Sequence, residues 1–167
     1  MYVPEVFAVS DPQETRRIVD SNPLATLTGM SHGELFATHV PVVTRWEGDQ
    51  LTHIECHLAR ANPHWKDING DVLLVFRGLE HYITPSWYET KTETGKVVPT
   101  WNYEAVHVNG TARAIQDADW LLQHVSDVTD RFEAPRDVAW AVTDAPDGFM
   151  DVMVRGIVTC KMAFCVS

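Results

Sequence analysis

Three strand-like runs follow one another with no room for a helix between them. Leu24 to Met30, Leu35 to Trp46 and Gln50 to His57 are rich in Thr, Val, Leu and Ile, and only Ser31-His32-Gly33 and Glu47-Gly48-Asp49 separate them. Gaps that short join antiparallel neighbours through hairpins, whereas a parallel pair needs a crossover of about a dozen residues. These runs therefore read as an antiparallel meander. Val72 to Phe76 is apolar without alternation, which predicts a strand buried on both faces near the centre. A further strand is expected around His81 to Thr84, then an extended stretch from Val97 to Ile115, where Pro99 and Gly110 predict a bulge or a change of strand partner. Gly156 to Val166 closes the series. Six or seven strands without βαβ alternation favour a small antiparallel barrel with peripheral helices.

The helical signals are fewer. Ser10 can cap a helix over about residues 11 to 21, with Pro12 in its first turn, Ile18 and Val19 as a thin apolar stripe, and Asn22-Pro23 as its end. Asn62-Pro63 resembles a cap followed by a first-turn proline, opening a short helix that contains Trp65 and Ile68 and ends at Gly70. From Asp117 the period changes to that of a helix. Leu121, Leu122, Val125, Val128 and Phe132 are placed on its apolar face, with Asp119, His124, Asp127 and Asp130 elsewhere, and Pro135 ends it. A helical turn is expected near Asp147 to Val154, and Glu89 to Lys96 has the composition of a surface loop.

A chain of 167 residues suits one domain, taken as residues 1–167, and 45% apolar with 22% charged residues is an ordinary globular balance. The net charge of −10 repels a phosphate backbone, which argues against direct DNA binding. No window reaches the roughly 18 apolar residues of a membrane span, and no signal-like leader opens the chain, so no membrane partner and a cytoplasmic location are expected. Cys56, Cys160 and Cys165 are too few and odd in number for a disulfide framework and are expected to be reduced.

Nucleotide-binding Gly-rich motifs and a Gly-x-Ser-x-Gly elbow are absent, and no side chain is assigned a catalytic role. Four constellations carry the chemistry. His57-Leu58-Ala59-Arg60-Ala61-Asn62 runs from a strand end into a helix start, where free backbone N–H groups with Arg60 and His57 would suit a phosphate monoester. The plainer alternative makes Asn62 a cap, Arg60 a solvated charge and Trp65 core. His53, Glu55 and His57 share one strand face and could converge on a metal ion; otherwise they are the polar outer face of a half-buried strand. Thr38 and His39 are adjacent, so only one of them faces any given pocket. Pro85-Ser86-Trp87-Tyr88 and Val98-Pro99-Thr100-Trp101-Asn102-Tyr103 could form flat walls for a ring system or a dimer interface.

Met1-Tyr2-Val3-Pro4, Ala37-Thr38-His39-Val40-Pro41, His57 to Pro63, Pro85 to Tyr88, Val98 to Tyr103 and Arg155-Gly156-Ile157-Val158 together resemble the PaiB family of FMN-binding negative transcriptional regulators. That family lies within the FMN-binding split-barrel group, which includes pyridoxamine phosphate oxidase. The resemblance spans nearly the whole chain. It implies a mainly β, six-stranded antiparallel split barrel that dimerises and binds FMN at the subunit interface. Thr38 and His39 would border the flavin ring, and His57, Leu58, Ala59, Arg60 and Asn62 would form the phosphate turn. Trp101 and Asn102 would reach the flavin from the partner subunit. In the family a basic and aromatic stretch follows the last strand, whereas this sequence stops at Lys161-Met162-Ala163-Phe164-Cys165-Val166-Ser167. The function expected is a flavin-dependent regulatory or sensing homodimer. The alternatives are a flavin-dependent oxidoreductase and a metal-binding β-barrel.

Overall fold

The computed structural model describes residues 1–164; Cys165 and the expected end of the last strand at Val166 lie outside them. Six strands form the body: β1 (Leu24–Ser31), β2 (Glu34–Glu47), β3 (Gln50–Ala59), β4 (Gly70–Ile83), β5 (Thr100–Ile115) and β6 (Ile157–Ala163). They close in the order β1-β2-β3-β6-β5-β4, every neighbour antiparallel. The expected meander is β1 to β3. Its first turn takes His32 and Gly33 at φ 53° and 80°, the positive-φ pair that suits a two-residue hairpin.

Strand periodicity fills the barrel. Ala25 and Leu27, Val40 and Val42, Ile54, Cys56 and Leu58, Val72, Leu74 and Phe76, and Cys160 and Met162 point inward as one buried cluster. Val72 to Phe76 is not covered on both faces, contrary to the sequence reading. Val72, Leu74 and Phe76 are buried, while Leu73 and Val75 are half-buried on the outer face. An unalternating apolar run here reflects an apolar outer surface, not a second layer.

β4 also absorbs the separate strand expected at His81 to Thr84. It pairs with β5 from Gly70 to Ile83, with a register shift between Arg77 and Glu80. Because β1 meets β4 at Leu73 to Val75 and β6 meets β5 from Thr111 onward, among the described residues Glu80 to Ile83 and Thr100 to Tyr103 have only each other as strand partners. The bulge thus lies opposite Glu104, while Gly110 marks the expected change of strand partner, since β5 pairs with β6 from Thr111 onward. At Gly110 a Cβ would stand 2.6 Å from the Ala163 carbonyl oxygen, so the glycine lets β6 approach where β5 gains its second partner.

Helix α1 (Pro12–Ser21) is capped by Asp11, whose carboxylate accepts from the Gln13 amide at 2.9 Å. The cap is Asp11 and not Ser10 because the proline at the first helical position makes the preceding residue the cap. Val19 is fully buried and belongs to the barrel core, so this helix is anchored more deeply than its thin apolar stripe suggests. Helix α2 (His64–Asp67) follows Pro63, and Ile68 beyond it is core. The loop expected at Glu89 to Lys96 holds the exposed helix α3 (Thr90–Thr94), ended by Gly95 at φ 65°.

Helix α4 (Ala118–Glu133) buries Leu121 and His124. The sequence reading put His124 on the polar side. Spacings of three and four from Leu121 to His124 to Val128 instead place the imidazole in the middle of the packed stripe. Helix α5 (Phe149–Arg155) matches the expected turn and leads directly into β6. Among the described residues no helix is long and apolar enough to cross a membrane.

Candidate functional site

Thr38 points into one end of the barrel and meets the residues that follow β3. Asn62 donates through Nδ2 to Thr38 Oγ1 at 3.2 Å, and His64 Nδ1 lies 3.0 Å from the same oxygen. Asn62 Oδ1 in turn accepts from the His64 amide at 3.0 Å. His64 is fully buried beside the Phe36 ring, and its Nε2 has no partner among the described residues. Burial holds its pKa down, against the pull of Asp67, so the ring is neutral at neutral pH. A Cβ on Gly29 would come within 3.2 Å of that Nε2, so glycine there leaves room for the imidazole.

His39 takes the opposite face, as strand alternation requires, and its Nδ1 is 3.0 Å from Thr26 Oγ1. Two residues along the ladder Thr28 opposes Ala37, and two further Met30 opposes Leu35. There a groove of about 600 Å³ opens across β1, β4 and β5, lined by Thr28, Met30, Leu35, Leu73, Asn109 and Thr111 among others. Its walls are largely apolar, Asp71 lines it beside the hydroxyl and amide groups of its rim, and one side is open. Leu35 is 81% exposed and Met30 48%.

The turn after β3 is committed inward. The amides of Arg60, Asn62 and His64 are bonded to Gly156 O, Ala59 O and Asn62 Oδ1, so these three of the backbone donors expected there are not free. Arg60 is neither a solvated charge nor an idle fork. It donates through Nε to Arg155 O at 2.7 Å, through Nη1 to Gln116 Oε1 at 2.8 Å and through Nη2 to Ile157 O at 3.0 Å. Three of the roughly five guanidinium N–H donors thus tie the turn to the start of β6. Trp65 Nε1 also donates to Arg60 O at 2.8 Å. Leu58 is core and Ala59 is exposed.

His57 turns away from this loop and toward α4, where its Nδ1 sits 3.2 Å from His124 Nε2. Trp120 stacks on the His124 ring. Burial lowers the pKa of both imidazoles; at His124 burial, then the charge of a protonated His57, takes it down to about 4. His124 Nδ1 is buried without a partner among the described residues.

Glu55 is likewise buried, not surface, with a 7% exposed side chain. Its Oε2 accepts from Arg45 Nη2 at 3.0 Å, and Oε1 lies 3.2 Å from His53 Nε2. Arg45 also bonds Asp127 of α4. Burial, then the nearby Lys161 charge, lowers the His53 pKa, so its contact with Glu55 is a hydrogen bond to a neutral ring. His53, Glu55 and His57 share a strand face without converging: the carboxylate is spent on Arg45 and His53, and His57 faces His124. Among the described residues no three His, Cys, Asp or Glu side chains are placed to hold a metal ion.

The aromatic segments occupy the ribbon beyond the β4 bulge. Trp101 lies 6.0 Å from Tyr82 between ring centroids, Trp87 stacks on His81, and Trp101, Asn102, Tyr103 and Trp87 are all exposed. The chain therefore separates the residues singled out from sequence into a barrel-end network, an outer groove edge, an α4-facing strand and an exposed ribbon. His64, His124, Arg45 and Asp127 were not singled out as site residues. The proline-led helix start at Pro63 and the three-and-four spacing around His124 were the available signals.

Comparison with known proteins covers the whole barrel. The family described as “Putative FMN-binding domain” matches residues 1–164. The chain is 34% identical over 164 residues to the Protease synthase and sporulation protein PAI 2 of Bacillus subtilis, spanning 97% of this chain and 76% of that one. In fold it is similar to the flavocytochrome Anf3 of Azotobacter vinelandii, with a TM-score of 0.65 at 17% identity over 98% of this chain and 69% of the other. It is also similar to a Clostridium acetobutylicum protein of the pyridoxinephosphate oxidase family, with a TM-score of 0.55 at 10% identity over 97% and 86%.

Proposed function

The chain belongs to this PaiB-like FMN-binding domain family, and from that premise we propose that it binds FMN as a homodimeric split barrel and acts as a flavin-dependent sensing or regulatory protein. The observation that carries the reading is the outer groove beside the Thr26–His39 pair. A flavin ring is flat, largely apolar and edged with hydrogen-bonding atoms, and the groove offers Met30, Leu35 and Leu73 as walls with Thr28, Asn109 and Thr111 at its rim. His39 and Thr26 lie two residues along the ladder from Thr28 of the groove, and Thr38, held by Asn62 and His64, fixes the strand from the other side. The N–H donors of Arg60 not used by Gln116 and the carbonyls of residues 155 and 157 are the phosphate contact in this reading. When bound, FMN supplies one- and two-electron redox chemistry.

The homodimer follows from what a single barrel leaves uncovered. Leu73 is half-buried on the outer face and lines the groove with exposed Met30 and Leu35, while Tyr82, Trp101 and Tyr103 stand exposed on the ribbon. A second copy would close the open side of the groove and bring its Trp101 and Asn102 to the flavin. With a net charge of −10, regulation is taken to run through the flavin state or a protein partner and not through direct contact with DNA.

The test is an FMN titration followed by visible absorbance and flavin fluorescence, with sedimentation measured on the same samples. Saturable quenching at one FMN per chain in a dimer supports the reading. A folded monomer, or a dimer that neither carries nor quenches flavin, overturns it, and flavin-dependent oxidation of NADH at enzymatic rates would replace sensing with an oxidoreductase.

A further inference from the structure

Cys56 and Cys160 face each other inside the barrel. They are directly opposed partners in the antiparallel ladder between β3 and β6, and both are fully buried. Residues directly opposed across antiparallel strands have Cα atoms about 4.5 to 5.5 Å apart, inside the roughly 4.4 to 6.8 Å span that a disulfide accepts. Ile54 opposite Met162 and Leu58 opposite Val158 flank the pair on the same inward face, so both sulfurs are confined to one layer of the core. The neighbouring Cys160 side chain, then burial, pushes the Cys56 pKa well up. Both cysteines are free thiols.

We propose that Cys56 and Cys160 are a reversible dithiol–disulfide site, closed by hydrogen peroxide and reopened by a dithiol reductant. One sulfur attacks a peroxide oxygen; the O–O bond breaks and water leaves, giving a sulfenic acid. The second sulfur then attacks the first, the S–S bond forms, the S–O bond breaks and a second water departs with the thiol proton. In balance, two thiols and one peroxide give one disulfide and two waters, the sulfurs oxidised and the peroxide reduced. Because opposed Cβ atoms in a ladder sit about 4.5 to 5.5 Å apart and a relaxed disulfide wants about 3.8 Å, the bond draws the strands together and is easily reduced.

The location gives the bond a consequence. β3 ends in the turn that Arg60 anchors, and the acceptors of Arg60 at residues 155 and 157 adjoin β6. Oxidation therefore locks both sides of that clamp together covalently, whether or not a flavin is bound. Burial also shields the sulfurs from bulky oxidants, so the reactive species is a small neutral one and the reaction is gated by local opening of β6.

The experiment is peroxide treatment of the folded full chain, alkylation of remaining thiols, and peptide mapping by mass spectrometry. The same treatment is applied to Cys165→Ser, Cys56→Ala and Cys160→Ala. Expected is loss of both thiols together, a Cys56–Cys160 crosslinked peptide in the wild type and in Cys165→Ser, and recovery of both thiols with dithiothreitol. In the two alanine variants no such crosslink forms. A crosslink through Cys165, stepwise oxidation of one cysteine to sulfinic acid, or full thiol retention in folded wild type under peroxide would each overturn the proposal. Wild type and Cys165→Ser suffice if the alanine variants fail to fold.

Discussion

His57 on β3 and His124 on α4 meet across the seam between barrel and helix, His57 Nδ1 3.2 Å from His124 Nε2, with the two rings edge to face. One ring donates and the other accepts, so at neutral pH the pair holds one proton between the facing nitrogens and both imidazoles stay uncharged. Around them stand His53 and Glu55 from β3, Arg45 from β2, Asp127 from α4 and Lys161 from β6.

That seam makes stability depend on pH. The His124 pKa falls from an unfolded value of about 6.5 to about 4, so the unfolded chain takes up the proton first. Its stabilising contribution is complete above pH 6.5 or so and is lost as pH falls through the folded value, about 3 kcal/mol in all. His57 shifts in the same direction through burial. Thermal midpoints should therefore decline from pH 7.5 to 4.5, and His124→Gln should flatten the decline. An equally steep curve in that variant places the titration elsewhere.

Glu55 is the carboxylate on which Arg45 and His53 depend. Glu55→Gln removes the charge facing Arg45 but keeps the shape, and with Arg45 partly solvated and still bonded to Asp127 it should cost about 1 to 3 kcal/mol. His53→Ala should cost about 1 kcal/mol or less, since its contacts to Glu55 and Thr52 are made by a partly exposed ring and Thr52 keeps its bond to the Arg45 carbonyl. Urea unfolding of both variants checks the order, and equal effects would contradict it.

Thr38→Val keeps the volume of the side chain and deletes the oxygen shared by Asn62 Nδ2 and His64 Nδ1. Two polar groups then lose their partner, for about 1 to 3 kcal/mol. The same variant should weaken FMN binding if this network holds the strand beside the flavin. Calorimetric titration with FMN, read beside thermal melts, separates the two effects; a destabilised variant with unchanged FMN affinity would confine Thr38 to a packing role.

Arg60→Ala tests two roles of one side chain. Loss of its bonds to Gln116 and the carbonyls of residues 155 and 157 should lower the melting temperature without FMN, while loss of the phosphate contact should weaken FMN by about 1.5 to 3 kcal/mol. Riboflavin, which lacks the phosphate, should bind wild type and variant alike. A penalty of the same size for riboflavin would assign Arg60 to the turn alone.

The barrel was legible because its evidence is local: hairpin gaps at His32-Gly33 and Gly48-Asp49 and alternating strands leave few topologies. What escaped sequence reasoning depends on which faces come to be covered. Leu73 and Val75 read as interior because they are apolar, yet they are only half-buried on the outer face of β4. Glu55 read as surface because it is charged, yet α4 packs over it. His124 read as polar-face because imidazole counts as polar, while its spacing from Leu121 assigned it to the seam. Arg60 was identified as a donor at a turn, but its acceptors near residues 155 and 157 lie about a hundred residues away in sequence, beyond any local pattern.

The uncovered face itself is tested at Leu35. The side chain stands on β2 opposite Met30, lines the groove and is 81% exposed, so in an isolated barrel Leu35→Glu should change stability by no more than about 0.5 kcal/mol. In a dimer closed over this face the new carboxylate would be buried without a partner, at a cost of several kcal/mol to association. The expected result is a folded monomer with a near wild-type circular dichroism spectrum that no longer retains FMN, and addition of excess FMN should not restore the dimer. Sedimentation velocity across a concentration series reads the association directly. A Leu35→Glu protein that remains dimeric and binds FMN as before would show that the groove face is open to solvent in the assembly, and the flavin would then have to be sought on another surface of the barrel.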